Sequence, residues 1–284
     1  MILYIVLAIA AFTITAQDVL KKKFNQRSQN GAFLFGGMIA LFAMLFFVVV
    51  NRDWSYQAGQ LFYSFLFAVS YATTVACAVL AIKHGSLAKT GLIVSCSLLV
   101  PSVYGMLFLD EPIGFSLILG TILLVLALVL INYEKSPTPS TLKWFLLVTL
   151  AFLGNGMCST VQKLQQITFG ESGKNLFMIV ALGMVTVILV VMSFISREER
   201  GNYTQIVKKG ILLAAMCGAL NGLCNYLVLY LNPRLPASVM FPVISAGSVV
   251  MVFVYATVVQ HERFDLKQKI GYALGVLSII LLNL

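Results

Sequence analysis

Apolar and polar positions alternate along this chain in long blocks, not at the short periods of a soluble fold. Predominantly apolar runs fall near 2–19, 32–50, 59–82, 86–109, 112–133, 143–165, 175–196, 208–231, 236–259 and 266–284. Each is about 18 to 24 residues, enough for a helix to cross a hydrocarbon core ~30 Å thick. The pattern predicts an all-α integral membrane protein of ten transmembrane helices. Connections are short, and only Asn132 to Lys143, with its Pro, Ser and Thr, reads as an exposed joint. It separates residues 1–135 from 143–284 through a linker at 136–142, the two parts forming one membrane domain.

Composition agrees, since 60% of residues are hydrophobic and 10% charged, against roughly a quarter charged in soluble domains. The side chains must therefore face lipid or one another. The first run lacks a basic leader and a small-residue cleavage site, so it reads as a retained span and not a signal peptide. The net charge of +9 is distributed by topology. Lys21, Lys22, Lys23, Arg27, Lys83, Lys89, Lys135, Lys143, Arg197, Arg200, Lys208, Lys209, Arg263, Lys267 and Lys269 fall on one side of the predicted membrane. Arg52, Lys163, Lys174 and Arg234 fall on the other. That bias marks the Lys21 side as cytoplasmic, leaves both termini outside, and argues against a nucleic-acid partner. The expected location is the cytoplasmic membrane, with the bilayer as partner and a monomer or homodimer as the assembly.

Candidate enzyme chemistry is sparse. HExxH, GxSxG and P-loop patterns are missing, and His84 and His261 fall in predicted cytoplasmic loops. Cys77, Cys96, Cys158, Cys217 and Cys224 lie in spans without paired spacing and read as small buried hydrophobes. An intramembrane lipid-modifying enzyme with scattered catalytic groups, and a receptor or scaffold, stand as alternatives to a carrier.

The chain repeats itself. Gly91 to Tyr133 laid on Pro242 to Leu284 gives eleven identities in 43 positions, among them Ser97 with Ser248, Tyr104 with Tyr255, Glu111 with Glu262, and Gly120 with Gly271. Polar and glycine matches of this kind do not follow from apolar bias. Upstream, "AQDVLKKKF" at 16–24 resembles "VQKLQQITF" at 161–169, pairing Gln17 with Gln162 and Asp18 with Lys163. Each half is thus a five-span unit. Five being odd, the second unit must cross the membrane in the opposite sense, an inverted repeat.

Two stretches carry a family resemblance: 81–133, with Pro101 and "LDE" before a glycine-containing span, and 231–283, which repeats the layout with Glu262 in the place of Glu111 and a proline at Pro242, Val252 standing at the repeat position of Pro101. With "GMCSTVQK" at 156–163, they resemble the EamA-like members of the drug/metabolite transporter superfamily, over essentially the whole chain. The first span carries "TITAQD" where that family usually has Trp-Gly, so no residue role transfers there. The external termini also differ from the cytoplasmic ones commonly drawn for the family. The resemblance implies export or exchange of a small organic solute by alternating access, with no cofactor and no metal.

Polar groups deep in a span are costly unless they face protein or water, so their clustering marks a candidate pathway. On α-helical spacing, Tyr71 and Thr74 share a face of the third span, Asn155, Ser159 and Gln162 of the sixth, and Asn221 and Asn225 of the eighth with Tyr226 on the flank. Gln17 in the first span and the repeat-related pairs Ser97 and Ser248, Tyr104 and Tyr255 complete the candidate substrate-binding set. The bland alternative is that these groups merely glue helices together. Asp18 and Lys163 are possible coupling groups; otherwise Asp18 pairs with Lys21 or Lys22 and Lys163 snorkels to the interface. Glu111 and Glu262 read as duplicated turn residues, each capping the helix that follows it.

Overall fold

The computed structural model describes residues 2–28, 30–84, 90, 93–111, 114–131, 141–259 and 265–282. They form α1 (Ile2–Arg27), α2 (Ala32–Val50), α3 (Ala58–His84), α4 (Leu99–Phe108), α5 (Phe115–Ile131), α6 (Leu142–Phe169), α7 (Lys174–Ile195), α8 (Tyr203–Leu231), α9 (Ala237–Val258) and α10 (Leu266–Leu282), with a 3-10 turn at Cys96–Leu98 leading into α4. Among the described residues there is no strand. Seven helices, α1 to α3 and α6 to α9, are long and apolar enough to cross a membrane, and the helices at Ile93–Phe108 and Phe115–Ile131 are shorter and apolar. Large apolar side chains such as Phe12, Val49, Phe65, Phe115 and Val187 point outward as the surface that lipid would cover.

Helix ends depart from the apolar runs where charge is compatible with helix. α1 continues through its lysines to Arg27, and α8 starts at Tyr203, ahead of Lys208. Lysine and arginine are good helix formers, so only their need for water takes them out of the apolar block. α3 extends to an exposed His84, which is helical and not in a loop. Of the predicted linker, residues 136–140 lie outside the described residues; Thr141 caps α6, its hydroxyl accepting from Trp144 N at 3.2 Å, and Leu142 is already helical. Glu262 and His261 also lie outside the described residues.

The two halves interdigitate. α3 packs along α6 and α8 along α1; α2 lies against both α7 and α8; α4 meets α9, and α5 meets α10. Small residues set the closest crossings. A side chain at Gly120 would meet Leu282, one at Gly271 would meet Ile131 and the Ala127 carbonyl, and Ser278 donates to the Gly120 carbonyl at 2.8 Å. The start of α5 thus faces the end of α10 and the reverse, so these two helices run antiparallel.

Three helix starts lack a capping side chain of their own. Gly31, Gly173 and Pro236 precede α2, α7 and α9, and none offers a side-chain acceptor. The first N–H groups of a helix need an acceptor, and near a bilayer core water is not a dependable one. Carboxylates from distant loops fill the role. Glu199, buried after α7, accepts from Phe33 N at 2.8 Å and Leu34 N at 3.0 Å, with Ser193 Oγ donating to it at 2.6 Å. Asp53, after α2, accepts from Gly173 N at 3.2 Å. Glu111, after α4, accepts from Ala237 N at 2.7 Å and Ser238 N at 2.8 Å. Glu111 therefore caps α9, not the helix that follows it in sequence. Asp110 takes φ 50, a left-handed conformation aspartate tolerates, and Gly105 leaves room that any Cβ would take from the Glu111 carboxylate.

Candidate functional site

A cavity of about 650 Å³ lies at the centre of the bundle, within the range that encloses small organic ligands. Its lining reaches the C-terminal part of α1 at Lys21 and Asn25, the first residue of α2, Ile82 of α3 and Ile131 of α5. Those helix ends form the face of the bundle that carries the basic loops. At the other end the lining stops at Gln162 of α6, Val228 in the last turn of α8 and Phe241 in the second turn of α9, short of the connections there. The cavity is thus a one-ended vestibule whose mouth is on the basic face. One wall is apolar, from Phe35, Ile39, Phe67, Val75, Val79 and Ile244.

The other wall carries the polar groups that helical spacing had placed together. Gln17, Tyr71, Thr74, Asn155, Ser159, Gln162, Asn221, Asn225 and Ser248 all line the cavity. Four of them form one hydrogen-bonded chain across its inner end. Gln162 Nε2 donates to Asn225 Oδ1 at 2.6 Å, Asn225 Nδ2 to Asn221 Oδ1 at 3.1 Å, and Asn221 Nδ2 to Gln17 Oε1 at 3.0 Å. With these orientations every amide points the same way, and such alignment polarises a chain cooperatively. The ends differ: Gln17 retains its NH2 as donor and Gln162 its carbonyl as acceptor. The terminal glutamines are the repeat-related pair of α1 and α6, and α8 supplies both asparagines between them.

A second polar point stands on α6. Asn155 Nδ2 donates to Ser97 Oγ at 2.5 Å, which fixes the side chain and leaves its carbonyl to face a ligand. Ser97 is fully buried in the 3-10 turn before α4 and does not line the cavity itself. Pro101 explains the turn: without an N–H it cannot bond the Ser97 carbonyl, and its ring crowds that carbonyl, so the chain winds differently there. The tyrosines were less legible. Tyr104 stacks on Phe108 at 4.9 Å, Tyr226 packs beside Phe46 and Phe47, and Tyr255 is half-buried; none of the three lines the cavity.

The charged candidates separate by environment. Asp18 and Lys21 both line the mouth and pair at 3.5 Å, with side chains 58% and 47% exposed. Lys163 does not snorkel. It donates to the carbonyls of Asn232 at 2.6 Å and Leu235 at 2.9 Å and lies 3.9 Å from Glu111, outside the cavity and beyond its closed end. Spacing alone missed Lys21, Asn25 and the phenylalanines of the apolar wall. An inward-facing stripe of Phe and Ile is indistinguishable in sequence from a lipid-facing one, whereas Lys21 and Asn25 carried a signal, lying three and seven residues beyond Asp18 on its own helix face.

Long apolar helices enclosing a polar vestibule define a multi-pass membrane protein. The family model described as the EamA-like transporter family matches residues 1–133 and 142–284. The chain belongs to that family, within the drug/metabolite transporter superfamily. A solved crystal structure of a protein superposes with a TM-score of 0.74 over 98% of this chain and 94% of its own, at 11% identity, a likeness of fold alone. No curated protein matches significantly.

Proposed function

We propose that the protein is a secondary transporter that moves a small organic solute across the cytoplasmic membrane by alternating access, as an exporter or exchanger, and that the structure is its inward-open state. The observation that carries this reading is the amide chain Gln17–Asn221–Asn225–Gln162 across the inner end of the vestibule. A carrier needs a site that both halves share, so that rocking one half against the other changes which face reaches it. Here the repeat-related α1 and α6 end the chain, and an antiparallel α5 and α10 support two oppositely directed five-helix units, 1–135 and 143–284, making ten spans. The basic mouth faces the cytoplasm by the positive-inside rule, with both termini outside.

The site suits a neutral or zwitterionic solute with an apolar body. Donor and acceptor ends of the amide chain, with Asn155, Ser159, Thr74 and Tyr71, serve hydrogen-bonding groups, while Phe35, Phe67 and Phe241 pack a ring or alkyl portion. Amino acids and nucleoside-like or aromatic compounds have that character; multiply charged phosphates do not, since the polar wall beyond Lys21 holds no cation to pair them. The test is a comparison of metabolites in medium and cell extract with and without expression, followed by counterflow of the responding compound in proteoliposomes. Counterflow of the unaltered compound, weakened by Gln162→Leu, is expected. A chemically altered compound or no flux for any responder would overturn the reading.

A further inference from the structure

Buried polar atoms without partners are not spread evenly through this molecule. Among the described residues they belong to Asn51, Gln165, Gln166, Asn175, Asn232 and Ser238. All of these lie at the α2–α3 connection, the last turns of α6, the first turn of α7, the α8–α9 connection or the first turn of α9, at the end of the bundle opposite the cavity mouth. Close-packed protein rarely leaves such atoms, because a buried polar group without a partner keeps the cost of leaving water. At the mouth, groups of the same kind face open space. The repeat makes the contrast direct: laying Gln17 on Gln162 lays Asp18 on Lys163 and Lys21 on Gln166. In α1 this face lines the vestibule, whereas Lys163 and Gln166 in α6 are 8% and 5% exposed.

Building on the carrier reading, we infer that Lys163, Gln166, Asn232 and Ser238 line the outward half of the solute pathway, shut in this conformation, and that Glu111 with Lys163 is the latch that holds it shut. The two side chains are 9% and 10% exposed and 3.9 Å apart. Glu111 holds the first N–H groups of α9, and Lys163 holds the last carbonyls around the α8–α9 connection. One stretch of chain, 232–238, is therefore gripped from the first half by the connection after α4 and from the second by α6. Parting α6 from it breaks the ion pair and both lysine hydrogen bonds at once, which makes the latch a two-position device and not a leak. Opening also brings water to the unpaired amides and the Ser238 hydroxyl, which offsets the lost bonds and keeps the two positions close in free energy.

The test uses the full chain in detergent, where both ends meet reagent whatever the topology. With Cys77, Cys96, Cys158, Cys217 and Cys224 replaced by serine or alanine, a single thiol is introduced by Ser238→Cys or, separately, by Asn25→Cys at the mouth, and the rate of modification by a bulky maleimide is measured. With the latch intact the position-238 thiol reacts slowly and the position-25 thiol fast. Glu111→Gln is expected to speed position 238 by about tenfold or more and to slow position 25, as a shift between two states requires. Lys163→Met, acting through the other partner, should do the same, so a folding defect of one variant does not decide the result. Unchanged rates at both positions in both variants would overturn the latch. Faster reaction at both positions would overturn it too, because that is general loosening and not a switch. Labelling needs no solute, so failure to find flux counts against the carrier reading and leaves this result standing.

Discussion

Asn225→Leu is the sharpest perturbation of the amide chain, because Asn225 joins Gln162 of α6 to the asparagines of α8. It accepts from Gln162 and donates to the Asn221 carbonyl at 2.8 Å and side-chain oxygen at 3.1 Å. Leucine keeps the volume and removes every one of these contacts. Gln162, only 2% exposed, is then left with the Met178 sulfur at 3.7 Å as its remaining contact. A buried amide orphaned in this way costs about 1–3 kcal/mol, a shift of roughly 5- to 150-fold in the folding equilibrium. Replacing both partners by apolar groups is close to neutral by the same reasoning, so Gln162→Leu in the Asn225→Leu background should recover much of the loss. Unfolding of the single and double variants by SDS titration in mixed micelles measures the cycle. The double variant should be less destabilised than the sum of the singles by about 1 kcal/mol or more. Agreement of double and summed singles within about 0.5 kcal/mol, the tolerance for independent sites, would refute the bond between α6 and α8. On the proposed carrier reading, counterflow should be weakened in all three variants, since restoring packing does not restore the amide donor and acceptor.

Gly154→Ala tests the α3–α6 crossing that carries Thr74 and Asn155. The new methyl would stand 2.7 Å from Thr74 Oγ1 and 2.8 Å from the Ser70 carbonyl, and overpacking of this kind costs about 1–3 kcal/mol, outweighing the ~1 kcal/mol of helix propensity that alanine gains. A lower melting temperature is therefore expected, while Gly183→Ala, whose Cβ would meet only Met44 Sδ at 3.4 Å, should melt at or above the parent; equal effects would defeat the reasoning. The Asp53 carboxyl is held below the usual carboxylate range by the N–H and O–H of Ser55 and then by Gly173 N–H. A depressed folded-state pKa contributes stability above the unfolded value of ~3.9 and loses it as pH falls through the lower folded value. The gap in melting temperature between the parent and Asp53→Asn should therefore hold steady from about pH 7 to 5 and close below about 4; a gap that widens in acid contradicts the cap.

The helices were legible because membrane thickness writes itself as run length, and the described helices overlie the apolar runs within a few residues except where lysines carry α1 and α8 further and at α4, which covers only the later part of the run at 86–109. Much of the cavity was legible for a related reason: Asn and Gln are too costly in lipid to stand on an idle face, so Asn155, Gln162, Asn221 and Asn225 could be placed together from spacing. Tyrosine gives no such signal. It has an apolar ring and a polar tip, and Tyr226 satisfies the first against Phe46 and Phe47 without approaching the pathway. Charged residues were misjudged in the other direction, because a lysine near a helix end looks solvated. Lys163 is held instead by carbonyls of a connection some 70 positions away, and no local pattern records a partner at that distance. Glu111 was recognisable as a capping group from its turn, but which helix start it caps depends on how α4 and α9 pack.

The borrowed caps say something further about how the halves are joined. Glu199 follows the end of α7 and caps the start of α2; Asp53 follows the end of α2 and bonds the start of α7. This requires α2 and α7 to lie side by side in opposite directions, each start held by a carboxylate that follows the other's end. Glu111 gives the same relation to α4 and α9. A parallel repeat would put each carboxylate beside the C-terminal end of its counterpart, where the helix dipole repels it. Opposite direction is therefore the arrangement in which a duplicated acidic loop serves both copies, and this supports the inverted plan more directly than the count of spans does. It also separates the helices: the α2–α7 pair is tied at both ends, whereas α1 ends at the open mouth of the vestibule and α6 at the buried Lys163 seam, so under the proposed carrier reading movement would fall to α1 and α6.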